Sequence, residues 1–366
     1  MRGSSADLAQ VIVLLGSLAA CSSEPGSGTG SSSGTAGGAG LGAAEGGGGG
    51  VAGVASTGGG GAGVAGNVAS AGGGTGGAGN GGASGAGAGG VGSGGAAGSA
   101  GFWGPDGPKK QWACPAPPYP AQMIGASTDI CVGFNYNYNY NEGPTWVASQ
   151  KAFFFTNFPV GSYMGGDIVK YTPGGACEVW LHDVGCNGLG VSPSGNLLGA
   201  CHGPRAIMEY DVVTKLGRMV ATMADGKMFD SPNDLIARSD GNVYFSNRTA
   251  ENGNRPVGLG EALVRIDPKG VTSVIQAGGL NGVALSPDET KLYVVGMGTW
   301  TLDAQGLPGQ KAGPTPGGDG IAVDCAGAIS INGTNSAFGG DDGKTLIVVG
   351  GGIKARTVSM TVPGLP

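Results

Sequence analysis

The sequence predicts an all-β fold: a six-bladed β-propeller with one shortened blade, preceded by a Gly-rich tether. Three observations predict it. One strand–turn–strand phrase recurs from Glu142, Asn187, Asn233, Asn281 and Asp319, at intervals of 45, 46, 48 and 38 residues. Its clearest copy is NGVALSPDETKLYV from Asn281, and NGLGVSPSGNLLGA, NDLIARSDGNVYFS and DGIAVDCAGAISIN repeat it. A period of about 40–50 residues carrying such units is the signature of a propeller blade. Strong helical periodicity is absent throughout. Nearly half of the 82 glycines fall before residue 101, in a stretch of little but Gly, Ala, Ser, Val and Thr, which leaves 102–366 as the part able to bury a core.

Residues 1–20 read as a bacterial lipoprotein signal peptide. An apolar run, Val11-Ile12-Val13-Leu14-Leu15, leads to Leu18-Ala19-Ala20-Cys21, and Cys21 is the expected lipidation site. An ordinary signal peptide or a short buried helix is the competing reading, and Asp7 offsets Arg2 in the charged region. The run is too short to span a bilayer as a mature helix. The expectation is an exported protein tethered to the cell envelope, with Ser22 compatible with the outer membrane. Residues 21–101, almost wholly Gly, Ala, Ser, Val and Thr, form the linker. As a Gly-rich coil it would span about 50 Å on average.

The net charge of −6 comes with no Lys/Arg stripe, which argues against a nucleic-acid partner. Beyond Cys21 there are six cysteines, at 114, 131, 177, 186, 201 and 325. In an exported chain they allow up to three disulfides, and Cys177 and Cys186 are near enough in sequence to staple neighbouring strands. No CxxC pair marks a zinc or redox site.

Residues 102–141 are rich in Pro, Tyr and Asn. The run NYNYNYN at Asn135–Asn141 puts its three tyrosines on one face if extended, for packing on a sheet or stacking on a sugar. Blade one follows from Glu142, with AFFFTN as a buried strand and GGDIVKYTP outside it. Blade two runs from Asn187 to ACHGPRAIMEYD. Blade three has a Gly226-Lys227 turn, then SPNDL, NVYFSN, ALVRIDPKG and VTSVIQAG. Blade four starts at Asn281, and its outer part, TWTLDAQGLPGQKAGPTPGG, reads as loop. Blade five starts at Asp319. Only 19 residues separate Asp319 from Phe338 of the FGGDDG motif in blade six, so the outer hairpin of blade five is missing and an edge is exposed.

Each repeat opens on an oxygen-bearing side chain: Glu142, Asn187, Asn233, Asn281, Asp319. In a propeller those positions converge on the axis. Taken singly, Asn-Gly and Asp-Gly are also common turn formers.

The ordered motifs Glu142-Gly143-Pro144-Thr145-Trp146, Ser231-Pro232-Asn233-Asp234-Leu235, Asp240-Gly241-Asn242-Val243-Tyr244-Phe245, Asn281-Gly282-Val283-Ala284, Asp319-Gly320-Ile321-Ala322 and Phe338-Gly339-Gly340-Asp341 resemble the SMP-30/gluconolactonase/LRE-like family of calcium-dependent lactonases. The resemblance covers about 140–366. It implies a six-bladed propeller with one divalent metal in the central channel, held by Glu142, Asn281 and Asp319, with Asn233 joining or lying beside it. Two carboxylates and two amide carbonyls make a hard, all-oxygen site suited to Ca2+, with Mg2+, Mn2+ or Zn2+ as alternatives. Such a metal polarises a lactone carbonyl, and Asp319 is the expected catalytic carboxylate, activating water or attacking directly. Asn187, His202 and Asp234 are the expected substrate contacts. His202 lies in ACHGPR, similar to the family's EHG-x-R with Cys201 in place of Glu, and His182 reads as structural. The expected partner is a small sugar lactone, with the chain a monomer. The alternative is a non-catalytic, surface-displayed binding or scaffold propeller with a structural metal. A related esterase or organophosphate hydrolase is a third reading.

Overall fold

The computed structural model describes residues 11–13, 101–161, 165–249, 258–331, 333–350 and 354–366. By contacts the chain divides into Ala20–Gly95 and a unit of Met1–Ala19 with Ala96–Pro366. The first of these, and with it Cys21 and nearly all of the expected linker, lies outside the described residues, as does the rest of the expected signal peptide beyond 11–13.

The described residues of the second unit form an all-β propeller with five complete blades, each a four-stranded antiparallel sheet. The first is Tyr140–Val147, Ala152–Phe158, Asp167–Tyr171 and Cys177–Leu181. The second is Cys186–Val191, Leu197–Cys201, Ala206–Tyr210 and Gly217–Ala221. The third is Ser231–Ala237, Val243–Arg248, Ala262–Ile266 and Thr272–Ala277. The fourth is Val283–Leu285, Lys291–Val294, Gly298–Leu302 and Pro308–Gly313. The last joins Asn335–Gly339, Thr345–Val349 and Ala355–Met360 to Ile124–Asp129 from the other end of the domain. Between the fourth and last blades the described residues form one hairpin, Ala322–Val323 with Ile329–Ile331. The backbone of Val11–Val13 runs parallel along its open edge. The innermost strands, that of the hairpin included, adjoin one another in a closed cycle.

The core lies between the sheets, which explains the apolar runs. Phe153 and Phe155 face the last blade, packing near Ile347 and Val349, while Phe154 faces the second blade with Trp180 and Leu197. All three phenylalanines are fully buried because the strand is covered on both faces. Around the hairpin the packing is thinner, with Ala284, Tyr293, Val295, Ile321, Val323 and Ile329 forming one small cluster.

Two expectations need correction, and one strand was unassigned. The outer part of the fourth blade is two strands, not loop: Gly298–Leu302 pairs with Pro308–Gly313, whose Pro stands at the strand start where no ladder donor is lost. Cys177 does not pair with Cys186; the disulfides are Cys114–Cys325, Cys131–Cys177 and Cys186–Cys201. Cys186 and Cys201 face each other as paired residues on adjacent strands. Residues 124–129, unassigned in the sequence, are the outer strand that closes the ring. The NYNYNYN alternation holds: Tyr136, Tyr138 and Tyr140 are half-buried and the intervening asparagines exposed. Tyr136 packs beside Phe155, and Tyr140 lies 5.6 Å from Phe158.

Residues 101–123 form a strap across one face. Trp103 is buried and donates to the Gly241 carbonyl (2.8 Å). Lys109 N donates to the Pro193 carbonyl, Lys110 Nζ to that of Pro287, and the Trp112 ring packs at Gly343. Cys114 is bonded to Cys325 and Gln122 donates to Asp324. All these partners sit just beyond the far ends of innermost strands. The strap therefore covers the face opposite the one where Glu142, Asn187, Asn233, Asn281 and Asp319 begin their repeats.

Candidate metal and substrate site

Each repeat-opening residue sits where an innermost strand leaves regular pairing. The ladder register shifts between Glu142 and Thr145, between Cys186 and Leu189, and between Pro232 and Leu235. Such bulges re-aim side chains. They put Glu142, Asn187, Asn233 and Asp234 in the interior of the ring, all buried, while Asp319 and Asn281 are half-buried.

The glycines beside these residues are not hairpin-turn glycines. A Cβ on Gly143 would lie 2.3 Å from the Asn187 carbonyl oxygen, and one on Gly188 would lie 2.5 Å from that of Asn233. One on Gly282 would meet the Asp319 carbonyl oxygen at 2.5 Å. The pairs Glu-Gly, Asn-Gly and Asp-Gly are thus contact points between adjacent blades. The oxygen-bearing residue points inward while the glycine lets the next strand approach. Gly143 also has φ +50°, the left-handed region. We expect Gly143→Ala to cost about 3 kcal/mol from overpacking and backbone strain together, read as a lower chemical-denaturation midpoint with unchanged slope.

The electrostatics of the interior are dominated by carboxylates. Burial first, and then the charge of Asp319, push Glu142 up to about 8; Asp234 adds to this, while Gly143 N–H and Thr334 oppose it. Burial also raises Asp234 to about 7, with Asp319 repelling it and the Val283 and Leu235 N–H groups opposing. The Asn281 carboxamide donates to Asp319 Oδ1. So Glu142, Asp234, Asp319 and Asn281 are brought together.

A divalent cation fits this donor set. Among the described residues no three His, Cys, Asp or Glu side chains cluster as metal ligands by themselves, so asparagine oxygens must complete any site. The buried, mutually repelling carboxylates are what a cation would relieve. Beneath them, between Asp234 and Asn335, a cavity of about 40 Å³ is lined by Leu235, Val283, Ile321 and Leu365. That is room for a few water molecules.

His202 follows the second strand of the second blade and is buried. Burial, aided by the Arg248 charge, lowers it to about 3. Arg205 donates to the Asp230 carbonyl at 3.1 Å. His182 stays exposed, 3.3 Å from Asp167. The sign for His202 follows from its neutral folded form. An unfolded histidine takes a proton below about 6.5, whereas the folded one resists until about 3. His202 therefore withdraws stability as pH falls through that window. By pH 4.5 the parent should lose about 3 kcal/mol more than His202→Gln, relative to pH 7. Parallel denaturant titrations of the two at both pH values check this.

The SMP-30/Gluconolactonase/LRE-like region matches residues 140–331, more than half of the chain. The chain belongs to this family. A gluconolactonase of Zymomonas mobilis is 32% identical over 203 residues, covering 46% of this chain and 54% of the relative. The chain thus spans about half the length of that relative. Two solved structures share the fold. A structural-genomics protein described as a gluconolactonase superposes with a TM-score of 0.56 at 22% identity, over 68% of this chain and 96% of its own. A gluconolactonase from Xanthomonas campestris gives 0.53 at 20% identity, over 68% and 100%.

Asn335 was missed in the sequence. It opens the innermost strand of the last blade, is buried, and lies against Gly320. Its only signal is position: it stands where the sixth repeat would begin, but Ser336 follows it instead of glycine.

Proposed function

We propose that the chain is a lactone hydrolase of gluconolactonase type that works with one divalent cation on the propeller axis. The convergence of Glu142, Asp234 and Asp319 in one buried interior carries this reading, and the family membership supports it. The short hairpin stands as the sixth position of the ring, a blade reduced to its inner strands.

Glu142, Asn233, Asn281 and Asp319 would hold the cation, and an all-oxygen set of this kind suits Ca2+. When bound, the cation supplies Lewis acidity for a lactone carbonyl oxygen. Asp319 is the less buried of the carboxylates and so meets a substrate entering from the open face. Asn281 orients one of its carboxylate oxygens. Asp319 takes a proton from water as that water attacks the lactone carbonyl carbon. The ring C–O bond then breaks, and the departing alkoxide takes that proton back from Asp319 to give the open hydroxy acid. Asn187, buried in the interior, and His202, kept neutral by burial, are the proposed substrate contacts, each offering a hydrogen bond without charge. Asp234 is held by backbone N–H groups and supports the floor.

Residues 1–20 act as a lipoprotein signal and Cys21 as the anchor in this reading.

The test is hydrolysis of a panel of aldonolactones by the purified chain, corrected for spontaneous opening, before and after chelation. The reading expects activity that disappears with chelator and returns with Ca2+. Absence of hydrolysis across the panel by a folded, Ca2+-loaded protein would overturn it.

A further inference from the structure

We propose that the Cys186–Cys201 disulfide is a positioning clamp that fixes Asn187 and His202, the proposed substrate contacts, against each other. This rests on the function proposed above, and the clamp acts through these two neighbours without touching substrate.

The bond sits where the ladder of the second blade breaks. Cys186 is paired with Cys201, and pairing resumes at Leu189 with Gly199, so the innermost strand carries one extra residue there. Asn187 follows Cys186 directly within that bulge, and His202 follows Cys201. Both are buried. A bulge interrupts the ladder and leaves its extra residue unpaired. Regular pairing therefore does not set the distance between the two contacts. Beyond the bulge the strands meet again through Gly203 N, which donates to the Gly185 carbonyl at 3.0 Å. A further tie of Asn187 leads to another blade: its carbonyl accepts Thr156 Oγ1 at 2.7 Å, from the first blade. The His202 carbonyl accepts Arg205 N at 3.3 Å within its own turn. The covalent bond joins these two supports.

The surroundings are fitted to the bridge. A Cβ on Gly199 would lie 2.9 Å from Cys186 Sγ and 3.1 Å from Cys201 Sγ, so glycine leaves the room in which the sulfurs meet. The Tyr210 hydroxyl stands 3.6 Å from Cys186 Sγ and 3.9 Å from Cys201 Sγ. Both cysteines are buried in one core with Leu189, Leu197 and Trp180, between the first and second blades. Close-packed interiors yield little, so a bridge held this way fixes the strand ends that carry Asn187 and His202. Two uncharged groups kept at one separation select ring hydroxyls of matching spacing. A displacement of about 1 Å in contacts of this kind can cost on the order of 10²-fold.

The test compares the parent chain with a clamp variant, Cys186→Ala with Cys201→Ala. A second double variant, Cys114→Ser with Cys325→Ser, controls for lost stability alone, because that bond lies on the opposite face and closes the longer loop. In the clamp variant the Gly203 amide should exchange with solvent at least about tenfold faster than in the parent. The chain has two histidines, so their imidazole NMR signals are readily told apart. That of His202 should shift or broaden in the clamp variant, and that of exposed His182 should stay. On a hydrolysed lactone KM should rise at least about tenfold with kcat within about threefold, while the control keeps both within about threefold. Parental Gly203 exchange and an unmoved His202 signal in the folded clamp variant would overturn the proposal, as would an equal rise of KM in the control. If the clamp variant does not fold, the parent decides: its Gly203 amide should exchange through global unfolding, and exchange by local opening would overturn the clamp. If the parent opens no lactone, the proposed function fails, while Gly203 exchange and the His202 signal still decide whether the bond fixes these strand ends.

Discussion

Replacing Asp319 with alanine should lower lactone kcat by about 10³-fold or more, the largest effect of any single substitution at the site. Two contributions combine. One is the loss of a proton acceptor, itself worth roughly 10²–10⁴-fold. The other is a weakened hold on the cation that stabilises the developing oxyanion. Asp319 interacts with Glu142, Asp234 and Asn281, so its removal changes every charge on the axis. Asp319→Asn keeps the shape and an oxygen ligand and should retain more Ca2+ affinity than the alanine variant, with activity still low. Steady-state kinetics at saturating Ca2+ separates the two contributions: the part that excess Ca2+ restores belongs to affinity, and the rest to proton transfer. Asp319→Ala activity equal to the parent would remove this residue from the mechanism.

Breaking the Cys114–Cys325 disulfide should produce the largest loss of stability. The bond closes a separation of 211 residues, and chain-entropy reasoning assigns such a loop about 5 kcal/mol. The local structure argues the same way. Cys325 lies just after the hairpin strand Ala322–Val323, where the blade has no outer strands to hold it. The strap reaches that turn only through Cys114, Gln122 and the neighbouring tail, in which Cys325 N donates to the Pro363 carbonyl. Cys114→Ser with Cys325→Ser should lower Tm by roughly 10–20 °C. The pair Cys186→Ser with Cys201→Ser closes only 15 residues inside a complete blade and should cost less. Calorimetric melting of the two double variants tests the order; a larger loss from Cys186 and Cys201 would contradict the account of the strap.

The repeat was legible in the sequence because one geometric need imprinted two residue types. Side chains that point to the axis are oxygen-bearing, and the strands meet so closely there that glycine follows four of the five repeat openers, at Gly143, Gly188, Gly282 and Gly320, with Asp234 after the fifth. Asn335 serves the same place but is followed by Ser336, so the pattern did not mark it. The inner strands were legible for a second reason: they are covered on both faces and read as apolar runs. Outer strands were not. Ile124–Asp129 is exposed at every position and Pro308–Gly313 at nearly every one, so neither needs apolar alternation and both resemble loop. The disulfides were opaque because pairing follows spatial neighbours: Cys131 and Cys177 are 46 residues apart yet have Cα atoms 5.2 Å apart.

The central claim, that the axial carboxylates and carboxamides hold one divalent cation, is tested most directly by calorimetric titration of Ca2+ into the chelator-stripped chain. The prediction is one ion per chain in the parent, with binding strongly weakened in both Asp319→Ala and Glu142→Gln. No binding to the folded parent, or parental affinity in both variants, would contradict it.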